Sequence, residues 1–305
     1  MSSSSWVLLW CGLELGLLGF VFLTQKKNKS SPTYFIVQAG TTQGLTITIL
    51  LGPVSQEVSH SLLRLLILSF LLAKIGLVPF HRWFVKVCAL LSWGGNSLLQ
   101  TVQKVGPFYL ISVGTRSQVY FISTIILLNI VVGSLGGFVT RDLRIILAFS
   151  SFSHSSLILA RSMVRDILWA FYFALYIILT LQTIFLLNRS GLYRLGGVAR
   201  AFEGSGEMAG LAVVFSSLGG FPPSLGFFSK VIVIQSLVRL QLYSLPIIIL
   251  IINLVNLYYY TRIFWSVLLK RRVHSPSAGK GARTLPLAKT VLDLNLGGVA
   301  VFFLF

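Results

Sequence analysis

The chain has 305 residues, of which 55% are hydrophobic and only 10% are charged. This composition excludes a soluble domain, whose surface needs many more ionic side chains. The formal net charge of +18 would indicate a nucleic-acid partner in a soluble protein. Here most Lys and Arg residues lie between apolar segments, which favours membrane topology and an anionic lipid such as cardiolipin, and no nucleic acid.

Apolar segments recur along the whole chain, and each has roughly the 20 residues that a helix needs to cross a bilayer. Segments such as FISTIILLNIVVGSLGGF are apolar on every face, whereas strands of a membrane barrel alternate over about ten residues. The sequence therefore predicts an all-α polytopic membrane protein with about ten transmembrane helices in a single membrane domain. The predicted spans lie near residues 5–24, 33–52, 61–81, 88–114, 118–138, 143–160, 166–187, 208–240, 245–269 and 286–305.

The amino-terminal segment MSSSSWVLLWCGLELGLLGF lacks the basic start of a secretory signal and the Arg-rich character of an organelle presequence. We interpret it as a membrane span of the mature protein, inserted without a targeting segment. Cys11 and Cys88 lie far apart in apolar stretches, so they indicate neither a disulfide framework nor an iron–sulfur site. Nucleotide-binding and haem-attachment motifs are absent, and the histidines lack metal-ligand spacing, so we expect no cofactor or metal in this chain.

The third and eighth predicted spans contain helix-breaking residues, in LLAKIGLVPFHRWF and GGFPPSLGF respectively. Because these spans are five apart, they cross the membrane in opposite directions, which is typical of inverted repeats with two discontinuous helices around a midplane site. The predicted organisation is a first repeat at 1–114, a second repeat at 118–269, a basic loop at 270–285 and a C-terminal helix at 286–305.

Each broken span carries one lysine beside its break, Lys74 and Lys230. A charge near the middle of a bilayer costs about 2.5–3.5 kcal/mol on insertion scales, so it indicates a function and a polar surrounding. Lysine suits proton transfer there, because desolvation favours the neutral amine while a nearby carboxylate favours the charged form. Lys104 in the fourth span and Glu14 in the first complete a predicted line of ionisable groups that exchange a proton through water.

His154 in the sixth span is surrounded by serines and is suited either to carry a proton or to form a packing hydrogen bond. The other candidates also have structural alternatives. Lys230 could extend towards a head group, and Glu14 could form an interhelical ion pair. For His81 beside the first break an interfacial structural role is favoured, and Arg262 among aromatic residues is interpreted as an interface anchor.

Most Lys and Arg residues outside the spans follow the odd-numbered spans. Positively charged loops stay on the side of the membrane from which the chain inserts. The sequence therefore predicts that these basic loops share one side of the membrane and that both termini lie on the other.

Seven segments resemble, in their order along the chain and in their residues, the family of NADH dehydrogenase subunit 2, an antiporter-like membrane subunit of mitochondrial respiratory complex I. They are WCGLELGLLGF, YFIVQA, AKIGLVPFHRWF, LLQTVQKVGP, LRIILAFSSFSH, SLGGFPPSLGFFSK and NLYYYTRI, and the resemblance covers about residues 6–265. It implies that Glu14, Lys74, Lys104 and Lys230 are the central proton-path residues.

The resemblance implies a proton-translocating core subunit of NADH:ubiquinone reductase, which couples electron transfer from NADH to ubiquinone to proton pumping. The chain itself would carry no redox site, because NADH, FMN, iron–sulfur clusters and ubiquinone are expected elsewhere in the complex. Its partners would be other membrane subunits. Its location would be the mitochondrial inner membrane, with the basic loops in the matrix and both termini on the intermembrane-space side.

The sequence departs from the family pattern at three places. A further helix usually precedes the W-x-G-L-E segment, so the first repeat is expected to be truncated. Lys86 stands where relatives commonly have an acid, and Ile145 stands in place of a lysine in L-R-K. Two other functions fit the residues: a stand-alone cation/proton antiporter and a structural membrane scaffold.

Overall fold

The computed structural model describes residues 3–24, 31–54, 60–114, 118–164, 167–197, 205–222 and 224–269. Within these ranges the chain is helical, without a β-strand, and only an isolated bridge joins Asp142 to Arg194. The helices are α1 (Ser3–Thr24), α2 (Ser31–Val54), α3 (His60–Ile75), α4 (Arg82–Leu90), α5 (Trp93–Gln100), α6 (Val102–Gly114), α7 (Val119–Val139), α8 (Leu143–Ser162), α9 (Leu168–Ser190), α10 (Ser205–Gly219), α11 (Leu225–Arg239) and α12 (Ser244–Leu269). The predicted basic loop at 270–285 and the C-terminal span at 286–305 lie outside the described residues.

Among the described residues, five helices are long and apolar enough to cross a membrane. They are the segments Pro32–Leu51, Val119–Val139, Leu143–Ser162, Leu168–Ser190 and Ser244–Trp265. Shorter apolar helices occur at Trp10–Thr24 and Ala209–Gly219. A helical polytopic membrane protein, as predicted from the hydropathy, is therefore confirmed.

Helix α3 ends at a glycine with a left-handed backbone. Gly76 has φ +81°, its N–H donates to the carbonyl of Ala73 at 3.2 Å, and the N–H of Leu77 donates to Leu72 at 3.0 Å. This pair of bonds is the Schellman arrangement, which satisfies carbonyl groups left free at a helix end. Three residues later the Val78–Pro79 peptide bond is cis, and α4 begins at Arg82.

Helix α10 ends in the same way. Gly220 has φ +82°, its N–H donates to Ser217 at 3.0 Å, and the N–H of Phe221 donates to Ser216 at 3.0 Å. Helix α11 then begins at Leu225. The segments predicted as the third and eighth spans thus contain helix ends of matching geometry.

The segment predicted as one span near 88–114 is interrupted twice. Leu91 and Ser92 have extended backbones, with ψ of 152° and 165°, and separate α4 from α5. At Thr101 the side-chain hydroxyl and the backbone N–H both donate to the carbonyl of Ser97, at 2.6 and 3.1 Å. Such a side-chain bond competes with regular helix bonds. Hydropathy averages over these local interruptions and therefore does not detect them.

The chain divides into two compact units, Met1–Asn129 and Ile130–Phe305, and the boundary falls inside α7. In the first unit, aromatic rings of α1, α2 and α4 pack in a row, from Phe20 to Tyr34 at 4.4 Å and from Tyr34 to Trp83 at 6.1 Å between centroids. In the second unit, α8 is the core helix, because every side chain from 150 to 162 is buried. A helix that is buried on all sides forms the centre of a bundle.

Candidate functional site

The break after α3 is held by side chains of neighbouring helices. The carbonyl of Lys74 accepts a hydrogen bond from Gln38 Nε2 on α2 at 2.9 Å. The carbonyl of Ala73 accepts one from Trp83 Nε1 on α4 at 3.1 Å. Buried carbonyl groups at a helix end need such partners, so α2 and α4 stabilise the interruption.

The Lys74 ammonium group is buried beside this break, since the residue is 6% exposed. Among the described residues its Nζ makes no hydrogen bond. Half-buried Glu14 interacts with it electrostatically, but the one ion pair in the described parts of the chain joins Arg144 to Asp142. Glu14 therefore supplies Lys74 with a counter-charge without closing an interhelical ion pair onto it.

Lys104 lies deeper in the same unit, at 1% exposure. Its Nζ is 4.9 Å from the centroid of the Phe84 ring, a cation–π distance. Phe84 also packs against the break, because a Cβ on Gly76 would lie 2.7 Å from Phe84 Cβ. Phe84 thus connects the interruption after α3 to the buried amine on α6.

Helix α6 is also held against α1 near Glu14. Gln103 Nε2 donates to the carbonyl of Gly16 at 2.9 Å. A Cβ on Gly106 would lie 3.0 Å from Leu13 Cδ2, so the two helices approach closely. Glu14, Lys74 and Lys104 therefore belong to elements that pack together within the first unit.

Lys230 occupies the corresponding break in the second unit. It is 7% exposed, and its Nζ donates to the carbonyl of Gly219 at 2.7 Å. A Cβ on Gly220 would lie 2.9 Å from both Nζ and Cδ of Lys230, so the glycine leaves space for the amine. The side chain caps the end of α10 and does not extend to the surface, which argues against snorkelling towards a head group.

His154 is buried in α8 and is 3.0 Å from the hydroxyl of Tyr172 through its Nδ1. Tyr172 also lies near Ser229, the residue before Lys230, whose own hydroxyl donates to the carbonyl of Gly226 at 2.8 Å. His154 therefore has a packing hydrogen bond, and its partner Tyr172 lies beside the segment that carries Lys230. The sequence did not single out Tyr172, which lies in an apolar span without a distinctive spacing.

A narrow polar gap lies between His154 and Lys230. The space between its side chains is too narrow to hold a water molecule. The polar side chains around it are Ser150, Ser153, His154, Lys230, Asn253, Asn256, Tyr259 and Tyr260. The sequence did not single out three of these residues, Asn253, Asn256 and Tyr260. Their spacing in NLVNLYYY nevertheless places polar groups on one face of an apolar helix.

His81 and Arg262, the other residues considered in the sequence, lie beside helix ends. His81 is half-buried just before α4. Arg262 donates to the carbonyls of Phe138 and Thr140 at 3.5 and 3.4 Å, so it caps the end of α7. Within the described ranges no group of His, Cys, Asp and Glu could hold a metal ion.

Residues 33–255 match the model of the NADH:quinone oxidoreductase/Mrp antiporter transmembrane family. The chain belongs to this family. NADH-ubiquinone oxidoreductase chain 2 of Anopheles gambiae is 36% identical over an alignment that covers 88% of this chain and 81% of that protein. The protein of the same name in Symphalangus syndactylus is 32% identical, over 87% of this chain and 80% of its own length. The resemblance predicted from the sequence segments is confirmed.

Two solved structures share the fold of this chain. A chain of respiratory complex I from Thermus thermophilus with bound aureothin gives a TM-score of 0.80 at 19% identity, over 97% of this chain and 71% of that chain. A chain of the Mrp complex from Dietzia sp. gives a TM-score of 0.71 at 19% identity, over 85% of this chain and 54% of that chain.

Proposed function

We propose that this chain is a proton-translocating membrane subunit of respiratory complex I, which couples electron transfer from NADH to ubiquinone to proton pumping. The match to the NADH:quinone oxidoreductase/Mrp antiporter family and the relatives named NADH-ubiquinone oxidoreductase chain 2 support its place in complex I. The observation that carries the mechanism is that buried amines lie at the helix interruptions of each unit, Lys74 and Lys104 in the first and Lys230 in the second. The chain acts without a redox site, and the NADH, FMN, iron–sulfur and ubiquinone sites belong to other subunits.

In the first unit, Lys74 holds a proton whose release depends on the charge of Glu14, and Lys104 exchanges protons with Lys74. No protein group in the described ranges accepts a hydrogen bond from the Lys74 ammonium group, so release of its proton breaks no bond to the protein. A carboxylate favours the charged form of a nearby amine, whereas burial favours the neutral form. A change in the charge or distance of Glu14 would therefore shift the proton between Lys74 and Lys104.

In the second unit, Lys230 exchanges its proton with the polar gap that leads to His154. Its bond to Gly219 holds the amine in place in either protonation state, because a neutral amine still has N–H groups to donate. The gap is too narrow for water, so transfer requires its side chains to separate. We infer that redox-driven rearrangement elsewhere in the complex opens this gap, and that Tyr172 and Ser229 support the path from His154.

The two interrupted helix pairs, α3 with α4 and α10 with α11, are in this proposal the discontinuous helices of inverted repeats at 1–114 and 118–269. Their matching glycine caps at Gly76 and Gly220 support this assignment. The chain lies in the mitochondrial inner membrane, with its basic loops in the matrix and both termini on the opposite side. Other membrane subunits and anionic lipid surround it.

The direct test replaces Lys230 by Met in the assembled complex and measures protons pumped per electron pair in liposomes. We expect this ratio to fall, because methionine fills the same space but carries no proton. Arg239→Met is the matched control: it removes an exposed cation from the end of the same helix, and Arg239 does not line the gap. The control complex should pump normally.

Two outcomes would favour the other functions. Sodium-dependent proton exchange by the isolated chain in liposomes would favour a stand-alone antiporter, which the fold of the Mrp complex makes a specific alternative. Unchanged pumping and assembly after neutral replacement of Glu14, Lys74, Lys104 and Lys230 together would favour a structural scaffold. An unchanged ratio in Lys230→Met alone removes Lys230 from the proton path.

A further inference from the structure

The first unit has a groove of about 520 Å³ between α2, α3 and the start of α4. Its size falls within the range of ligand-binding pockets. Apolar residues form most of its walls, among them Ile36, Phe70, Ala73 and Phe80. These observations describe an apolar binding groove on this unit.

The two hydroxyl groups in the walls do not make the groove polar. Thr41 Oγ1 donates to the carbonyl of Gln38 at 2.8 Å, and Ser69 Oγ donates to that of Leu66 at 2.7 Å. Both hydroxyls are therefore directed back to their own helices. A ligand in this part of the groove meets mainly hydrocarbon.

One end of the groove is cationic. Arg82 lines it, and Lys86 lies one turn further along α4, on the same face. Both side chains are exposed, and in the described residues neither forms an ion pair. Trp83 beside them is fixed by its bond to Ala73, and tryptophan favours the level of lipid head groups.

We propose that this groove binds one anionic phospholipid, with an acyl chain against Ile36 and Phe70 and its phosphate held by Arg82 and Lys86. An arginine guanidinium group matches two phosphate oxygens at once, and lysine adds a point charge. A neutral apolar helix of another subunit would fill the groove but would leave both cations unpaired. The proposal concerns binding alone and stands whether or not Lys230 carries protons.

The test uses two photoreactive lipids with the same diazirine-bearing acyl chain, one with a phosphatidylglycerol and one with a phosphatidylcholine head group. The assembled complex is reconstituted into phosphatidylcholine vesicles with a trace of either lipid, irradiated and digested, and labelled peptides are identified by mass spectrometry. We expect the anionic lipid to label the peptides that line the groove on the order of tenfold more than the neutral one.

Two sets of variants separate the head group from the acyl chain. Arg82→Gln with Lys86→Gln should reduce labelling by the anionic lipid to the level of the neutral one. Arg64→Gln with Arg239→Gln, which removes two exposed cations outside the groove, should leave the preference intact. Gly40→Leu should reduce labelling by both lipids, because it fills the groove at a position where an added Cβ meets no atom within 4 Å.

Equal labelling by both lipids would overturn the proposal, as would a preference that survives Arg82→Gln with Lys86→Gln. Photolabelling that misses the groove, together with chemical cross-links from the groove to a neighbouring subunit, would show that a protein segment occupies it. Native electrophoresis of each variant ensures that only assembled complexes are compared.

Discussion

The three buried lysines share a chemical group but have different immediate surroundings. Lys74 interacts with the charge of Glu14, Lys104 lies over an aromatic ring, and Lys230 donates to a backbone carbonyl. An ammonium group on a carbonyl or a ring is stabilised by a fixed dipole or quadrupole, whereas one beside a carboxylate responds to that charge. Within the proposed function, Lys74 is therefore the amine that is most sensitive to a change at Glu14.

At this scale we expect Gly220→Ala to impair both stability and pumping. A positive φ costs an L-residue about 1–2 kcal/mol, and the new Cβ would also press on Lys230 Nζ and Cδ at 2.9 Å. Thermal denaturation of the complex and protons pumped per electron pair measure the two effects.

Gly191→Ala provides the matched control for this change. Gly191 also has a positive φ, +64°, but a Cβ there meets no atom within 4 Å. It should lose stability alone and keep its pumping ratio. Equal pumping by the Gly220 and Gly191 variants would contradict a role for the close contact with Lys230.

At the scale of elements, the interruptions depend on remote side chains as much as on glycine and proline. Gly76 closes the end of α3, yet the carbonyls before it are satisfied by Gln38 and Trp83 from α2 and α4. In α10 the corresponding partner is Lys230 itself, from α11. A helix can therefore end inside the unit, next to a buried lysine, because these side chains pair the carbonyl groups at its end.

Gln38→Leu should destabilise the first unit, because it leaves the buried carbonyl of Lys74 without its side-chain donor. Such a loss costs about 1–3 kcal/mol. Gln43→Leu on the same helix removes an exposed amide and should change stability little. Thermal denaturation of the assembled complexes compares the two variants, and equal melting temperatures would contradict the proposed support of the break.

At the scale of the whole molecule, the distribution of charge predicts orientation. The loops after the odd-numbered predicted spans carry most of the Lys and Arg residues outside the spans. The loop that begins at the end of α9 is one of these basic loops. The turn between α11 and α12 is one of the loops after the even-numbered spans, which carry few Lys and Arg residues. The positive-inside rule therefore assigns these two connections to opposite sides of the membrane.

Cysteine labelling tests this orientation. Asn188→Cys and Tyr243→Cys replace exposed side chains at these two connections. In intact mitoplasts, a membrane-impermeant maleimide should label Tyr243→Cys, while Asn188→Cys should be labelled only after the membrane is opened. The unmodified chain, whose Cys11 is half-buried and whose Cys88 is buried, gives the background. The reverse pattern would invert the topology.

The sequence by itself determined the membrane class, the helical fold and the family, because hydropathy and short motifs are local properties of the chain. It also marked the ends of α3 and α10, since glycine and proline act on the backbone directly. It did not indicate the interruptions around α5, which depend on side-chain bonds such as that of Thr101.

Only the tertiary structure decided what surrounds each buried amine. The groups that contact the site come from other helices: Phe84, Gln38, Tyr172 and the carbonyl of Gly219. Their roles depend on interatomic distances, which cannot be read from a short sequence pattern. The physical reason is that an apolar helix in a membrane tolerates many side chains on each face. Which of them meets a lysine is therefore set by the packing of whole helices.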